Sequence, residues 1–248
     1  MLSSFFAATV RHRRIILVVE AVLAVLYVIV QVTTRALGWF AYPSLLAFAL
    51  VLLGLFLATY KRHRPAVLTV RPERPSFDTP VSPFTVYFFT GFAGIWMVNV
   101  TSIVRNISER EELWQLDAAI LVLYVVAAAI WFRAGWGHVG VRLRPDGVID
   151  HNAVGSLFVP WEAFDRAYPA WPAEKGDRLL VNYEGRARRR GVVMTGRRVM
   201  TGYNVDRWFL ARTIQHYVVH PEDRASIGTD AGYARLTQAL TAPAEQQV

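Results

Sequence analysis

The chain has 248 residues, of which 54% are hydrophobic, an apolar share that is high for a water-soluble protein of this length. It carries 27 Lys and Arg against 19 Asp and Glu, a net charge of +8. Binding to nucleic acid, binding to anionic lipid, or orientation of the chain in a membrane would each account for this positive charge. Cysteine is absent, which excludes disulfides, thiolate metal sites and cysteine nucleophiles.

Four apolar segments of membrane-spanning length lie within residues 1–134. They run from Ile15 to Val32, from Gly38 to Thr59, from Phe84 to Val104 and from Leu116 to Phe132, each close to the ~20 residues that cross a bilayer. The first is too long for the apolar part of a signal peptide, and no small-residue cleavage site ends it, so we expect it to be retained. Short loops within each successive pair predict two antiparallel helical hairpins.

The distribution of Lys and Arg predicts the orientation of these spans. Basic residues are concentrated before the first span and between the second and third, at Arg11, Arg13, Arg14, Lys61, Arg62, Arg64, Arg71 and Arg74. Positively charged loops remain in the cytoplasm, so the N-terminus and everything after the fourth span are predicted to be cytoplasmic. The link between the hairpins contains five prolines, which predict an extended connector near the headgroups rather than a helix.

Two polar residues inside the predicted spans are candidates for function. Glu20 lies in the first span, where an ionisable group is costly to bury. It either takes part in a proton or ion path, or it is held near the cytoplasmic interface by snorkelling or by pairing with Arg13. Asn99 in the third span has a side chain suited to hydrogen bonding with another helix.

After Gly137 the sequence changes to short alternating segments separated by turn residues, a pattern typical of β-strands. The candidate strands are Val139 to Leu143, Gly147 to Asp150, Ser156 to Pro160, Leu179 to Tyr183, Arg189 to Met194 and Arg198 to Gly202. A helix follows, capped by Asn204 or Asp206 and ended by Pro221. The predicted fold class is therefore α+β, with antiparallel strands that form a small barrel or sandwich and a closing C-terminal helix.

The strings LRPDGVIDH, FVPWEAF and IQHYVVHPEDRASIGT lie between residues 137 and 229. With strands that precede one closing helix, they resemble a bacterial pleckstrin-homology-type (PH) domain. The chain resembles in particular the membrane-anchored PH-domain-containing proteins of actinobacteria, in which hydrophobic helices precede such a domain. The resemblance implies a small PH-like antiparallel β-barrel at 135–229 in a protein of a bacterial plasma membrane. Together with the apolar segments, the predicted organisation is a four-helix transmembrane domain at 1–134, this PH-like domain, and a short helix with a flexible tail at 230–248. It supplies no catalytic residue.

A cluster of arginines is the strongest polar feature of the predicted domain. Its members are Arg186, Arg188, Arg189, Arg190, Arg197 and Arg198. Near an anionic membrane each basic residue contributes about 1 kcal/mol of attraction. The cluster is also compatible with a solvated hairpin rim, paired with Glu184 and Asp206. Aromatic residues do not interleave with the arginines as stacking platforms would, which argues against nucleic acid.

Neither a catalytic nor a metal-binding arrangement stands out in the sequence. His216 and His220 are four residues apart on one predicted helix, but no acid lies between them as in metalloproteases, and Pro221 follows at once. Phosphate-binding GxxxxGK[ST] and nucleophile GxSxG motifs are absent from the sequence. We therefore expect a protein that is not an enzyme and that needs neither a metal nor another cofactor.

Two functions from different classes remain. The first is a non-enzymatic integral membrane protein whose cytoplasmic PH-like domain contacts a protein partner, a second copy of itself, or anionic lipid. The alternative is a subunit of an oligomeric transporter or channel that uses Glu20, with Asn99 as a further polar residue of the path. The expected partners are membrane lipids and either an unknown protein or a homo-oligomer, and not nucleic acid.

Overall fold

A computed structural model describes residues 2–34, 46–47, 50–55, 57–59, 64–110, 112–137, 139–174, 178–185, 187–192, 199–201 and 205–241. The chain forms two compact units, which we call the helical unit (Met1–Arg62 and Ser82–Gly137) and the C-terminal domain (His63–Val81 and His138–Val248). The sequence predicted a domain boundary after residue 134, and the division between the two units follows Gly137. The segment at 63–81, predicted to be a connector, belongs to the C-terminal domain.

Four helices of the helical unit are described along their length. They are α1 (Leu2–Arg11), α2 (Arg13–Thr34), α3 (Pro83–Glu109) and α4 (Trp114–Trp136). Helix α2 packs against α3 and α4, and α3 packs against α4. The second predicted span, Gly38 to Thr59, lies partly outside the described residues, and its described part is helical at 46–47, 50–55 and 57–59.

Two of the described helices, α2 and α4, are long and apolar enough to cross a membrane. Their apolar side chains are largely uncovered. The exposed ones include Val18, Val19, Val22, Leu23, Val25, Leu26 and Ile29 on α2, and Val122, Leu123, Val125 and Val126 on α4. Continuous apolar surface of this extent is unfavourable in water and marks a surface that meets lipid or another apolar partner.

The nine described strands of the C-terminal domain confirm the predicted α+β class and its antiparallel pairing. They are β1 (Thr69–Arg71), β2 (Ser76–Asp78), β3 (Gly140–Arg144), β4 (Gly147–His151), β5 (Gly155–Pro160), β6 (Ala170–Pro172), β7 (Arg178–Val181), β8 (Arg188–Gly191) and β9 (Val199–Thr201). One sheet has the order β1-β2-β3-β4-β5-β8 and a smaller one has the order β6-β7-β9. These described strands do not close into the small barrel that the sequence predicted, because β6, β7 and β9 pair with one another and not with the first sheet.

The segment at 63–81 forms a β-hairpin and not only an extended connector. Its prolines Pro72 and Pro75 lie in the turn between β1 and β2, where a missing amide hydrogen costs no ladder bond. Strand β2 pairs with β3 through the register Phe77 to Leu143. Gly228 packs against this turn with a φ of +92°, and a Cβ there would lie 2.5 Å from the Cα of Pro75.

Helix α5 (Arg207–Val219) and helix α6 (Asp230–Thr241) pack on the same core as the sheets. The side chain of Asp206 caps α5 by accepting a hydrogen bond from the backbone N–H of Phe209 at 2.8 Å. Leu236 on α6 is fully buried, so this helix is a structural part of the domain. The tail residues at 242–248 lie outside the described part of the chain.

Candidate functional site

Three of the six predicted basic residues, Arg188, Arg189 and Arg190, lie on strand β8. All three are exposed. Strand β8 pairs with β5 and forms the end of the larger sheet among the described strands. Arg186, Arg197 and Arg198 lie outside the described residues, so the structure leaves the complete cluster as a prediction.

The register divides the three arginines between the two faces of the sheet. Arg189 is opposite Leu157, which is fully buried and points into the core. Arg188 and Arg190 are opposite Phe158 and Ser156, on the other face. Only Arg188 and Arg190 therefore share a face, with their Cα atoms about 7 Å apart. Asp206, a predicted ion-pair partner of the cluster, is instead the cap of α5.

Glu20 is 7% exposed and lies inside the helical unit. Its Oε2 accepts a hydrogen bond of 2.9 Å from the Oγ1 of Thr90 on α3. Its Oε1 is buried and has no hydrogen-bond partner among the described residues. Arg13, considered from the sequence as a partner, donates to the backbone carbonyl of Gly137 at 3.4 Å. Glu20 is therefore buried between α2 and α3.

A cavity of about 510 Å³ lies beside Glu20 between α2, α3 and α4, and it is open to the surface at Val25 and Ile29, which are both more than half exposed. It is apolar apart from Glu20. Its described lining residues are Glu20, Ala21, Ala24, Val25, Val28, Ile29, Phe89, Ala93, Trp96, Met97, Val100, Ala128, Ala129, Trp131 and Phe132. This volume is in the range of small-molecule sites, which extend from ~300 to ~1,000 Å³.

The other polar residue predicted in the spans, Asn99, does not join Glu20. It is exposed on α3 and is not among the described lining residues of the cavity. Sequence reasoning missed Thr90 as the partner of Glu20, because the two are 70 residues apart and no spacing rule connects them. The aromatic residues of the cavity were visible only as span-forming apolar residues.

Two histidines at the C-terminal end of α5, His216 and the cap residue His220, each contact a carboxylate. Nε2 of His216 is 3.0 Å from Oδ2 of Asp223, and Nδ1 of His220 is 3.2 Å from Oε1 of Glu222. Burial lowers the pKa of His216, its neighbour His220 acts in the same direction, and Asp223 opposes both. Within the described ranges no group of three or more His, Asp or Glu side chains is arranged to hold a metal ion.

No protein-family model, curated protein or solved structure matches this chain. The resemblance to PH-type domains therefore remains a prediction from the sequence.

Proposed function

We propose that the chain is a multi-pass membrane protein with four spans, arranged as two hairpins. Support comes from α2 and α4, the two candidate spans, and from α3, whose 27 residues extend for about 40 Å against a hydrocarbon core of ~30 Å. The side chains of Arg13 and Arg14 at the start of α2 contact Gly137 and Trp136 at the end of α4. The start of α2 and the end of α4 therefore belong on one side of the membrane.

The β2–β3 pairing supports the same topology. Because Asp78 and Arg142 pair in one sheet, the chain between them must cross the membrane an even number of times. A spanning α4 therefore requires a spanning α3. With Arg11, Arg13 and Arg14 at the N-terminus, the positive-inside rule assigns this side to the cytoplasm.

The C-terminal domain, for which we retain the PH-like assignment as part of the proposal, is a non-enzymatic module that contacts anionic lipid headgroups. The observation that carries this proposal is the exposed pair Arg188 and Arg190 on one face of an edge strand. At about 1 kcal/mol per residue, the pair contributes about 2 kcal/mol, roughly 30-fold in affinity. The chain passes between the two units three times, and such a tether makes a weak contact effective.

Charged residues on an edge strand also serve to prevent unwanted strand pairing, and an open edge is a site for a partner's strand. An experiment can distinguish the lipid contact from these two alternatives. Because the chain has no cysteine, a single cysteine at Val192, which is 67% exposed and directly follows β8, permits specific fluorescent labelling. The labelled full-length protein is reconstituted into nanodiscs that contain nitroxide-headgroup lipids as quenchers.

We expect stronger quenching in anionic than in neutral nanodiscs. The Arg188→Ala/Arg190→Ala variant should lose this difference, and the variant Arg144→Ala/Arg178→Ala, which removes two other exposed arginines, should retain it. Equal quenching in both lipids, or equal loss in the two variants, would contradict the lipid contact. A signal that depends on the number of protein copies per disc would instead favour self-association.

A second candidate function, as a subunit of an oligomeric transporter or channel, is favoured by one observation, the cavity beside Glu20. Ion or solute flux in proteoliposomes that is reduced in Glu20→Gln would support it. Undiminished flux would argue against a role of Glu20 in transport.

A further inference from the structure

The cavity of the helical unit combines one carboxylate with an apolar, aromatic wall. It follows α2 from Glu20 to Ile29, nine residues along the helix and so about 13 Å in length. Phe89, Trp96, Trp131 and Phe132 contribute aromatic rings to its lining. Phe89 and Phe132 pack edge to face, with their ring centroids 6.2 Å apart. The cavity therefore has a polar group at one end and a predominantly apolar length.

Glu20 lacks the hydrogen bonds that a buried carboxylate needs. Thr90 is its one described partner, and the Oγ1 of Thr90 lies 2.9 Å from both Oε2 of Glu20 and the backbone oxygen of Val86. A threonine hydroxyl has a single proton, so Glu20 shares its donor with the α3 backbone. Oε1 is buried without any partner in the described part of the chain. Buried carboxylates are normally paired or hydrogen-bonded. Glu20 is also one of the residues that line the cavity.

The chemistry of the lining selects the class of ligand. An anion would meet the carboxylate of Glu20, and a purely apolar molecule would leave Oε1 without a partner. Inorganic cations such as Ca²⁺ take six to eight oxygen ligands, whereas the described lining offers one carboxylate. An organic cation needs only one counter-charge, and the faces of Trp and Phe rings stabilise it further through cation–π contacts.

We propose that this cavity binds a lipophilic organic cation, with the charged group next to the carboxyl group of Glu20 and the apolar body between the aromatic residues of α3 and α4. The site is independent of the lipid contact proposed for the C-terminal domain. It requires binding and not transport, so absence of flux would leave the proposal unaffected.

The test measures binding of radiolabelled tetraphenylphosphonium to the full-length protein in nanodiscs of neutral lipid, after subtraction of empty discs. Saturable binding is expected, with displacement by unlabelled tetraphenylphosphonium and not by neutral triphenylphosphine oxide at the same concentration. Glu20→Gln removes the charge at nearly constant shape and should weaken binding at least ~10-fold. Glu20→Asp keeps the charge and should restore part of the affinity.

Two further variants make the result specific. Asp117→Asn removes the acidic residue in the first turn of α4, outside the described lining, and should bind as the parent protein does. Ala128→Phe fills the cavity, leaves Glu20 in place and should abolish binding, so it decides the question if Glu20→Gln is not monodisperse in size-exclusion chromatography. Absence of saturable binding to the parent protein, undiminished binding by Glu20→Gln or Ala128→Phe, or equal displacement by the neutral compound would overturn the proposal.

Discussion

Replacing Arg142 with methionine is expected to loosen the β1–β2 hairpin from the rest of the C-terminal domain. Asp78 on β2 is 2% exposed and accepts two hydrogen bonds from Arg142 on β3, from Nε at 2.7 Å and from Nη2 at 3.0 Å. Ser76 donates a third at 3.0 Å. The nearest other cation is Arg71, at 3.8 Å. Without Arg142 the carboxylate of Asp78 would remain buried but would lose two of these three hydrogen bonds and its closest positive charge.

Breaking a buried ion pair by removing one partner costs ~3–5 kcal/mol. The side chain of Arg142 is 22% exposed and Arg71 remains, so we expect Arg142→Met to reduce the free energy of unfolding by about 2–3 kcal/mol. Asp78→Ala should cost a similar amount, and the double variant should cost about 2 kcal/mol less than the sum, since both changes remove the same interaction. Arg144→Met is the matched control, because its pair with Asp146 is exposed and should contribute only ~0–1 kcal/mol.

Hydrogen exchange measured by mass spectrometry on the full-length protein in detergent reports local stability at β2 and β3. Arg142→Met should accelerate exchange in peptides that cover residues 76–78 and 140–144, and Arg144→Met should leave them near the parent rates. Equal acceleration by the two variants, or additive effects in the double variant, would show that the ion pair does not hold the hairpin in place.

Two further predictions concern the C-terminal helices. Leu236→Ala should reduce the stability of the domain by about 2–5 kcal/mol because it leaves a cavity at a fully buried position on α6. Gln238→Ala, on the exposed side of that helix, should change the stability little. An unshifted urea midpoint in Leu236→Ala would mean that α6 is not part of the core. Burial lowers the pKa of His216, so the unfolded chain takes up a proton at higher pH than the folded domain does. The contribution of the neutral His216 to stability is therefore fully present above the ordinary pKa of about 6.5, and it is lost as the pH falls through and below that value. His216→Gln should flatten the dependence of the urea midpoint between about pH 7.5 and 5.5 without abolishing it, since burial also lowers the pKa of His151; an unchanged slope would rule out His216 as its source.

Local sequence signals identified the elements whose causes are local. The sequence predicted the long apolar helices α2 and α4 and the alternating strands β3, β4 and β5. Helix and strand periodicity depend only on residues that are close together in the sequence. Pro145, Asp146 and Gly147 are a local turn signal between β3 and β4. Gly147 has a φ of +156°, and a Cβ there would lie 2.4 Å from the backbone oxygen of Val159.

Features that depend on distant partners were not predictable in the same way. Strands β1 and β2 have three residues each, and the prolines in the turn between them obscure the strand pattern. The hairpin is stabilised by the pairing of β2 with the distant strand β3. The separation of Arg189 from Arg188 and Arg190 follows from the register with β5, which the arginine run does not contain. The Glu20 site likewise depends on the contact between α2 and α3, which brings Thr90 to the carboxylate.

Strand β2 belongs to the C-terminal domain although it precedes α3 and α4 in the chain. Phe77 on β2 is fully buried and its ring contacts those of Tyr217 on α5 and Tyr233 on α6, with centroids 6.5 Å and 5.7 Å apart. The chain forms α3 and α4 between β2 and β3. In the topology proposed above, the sheet is therefore complete only when both ends of this helical pair are on the same side of the membrane. The helices therefore do not simply precede a finished domain, because the core of the C-terminal domain contains residues that come before α3 and residues that come after α4 in the sequence.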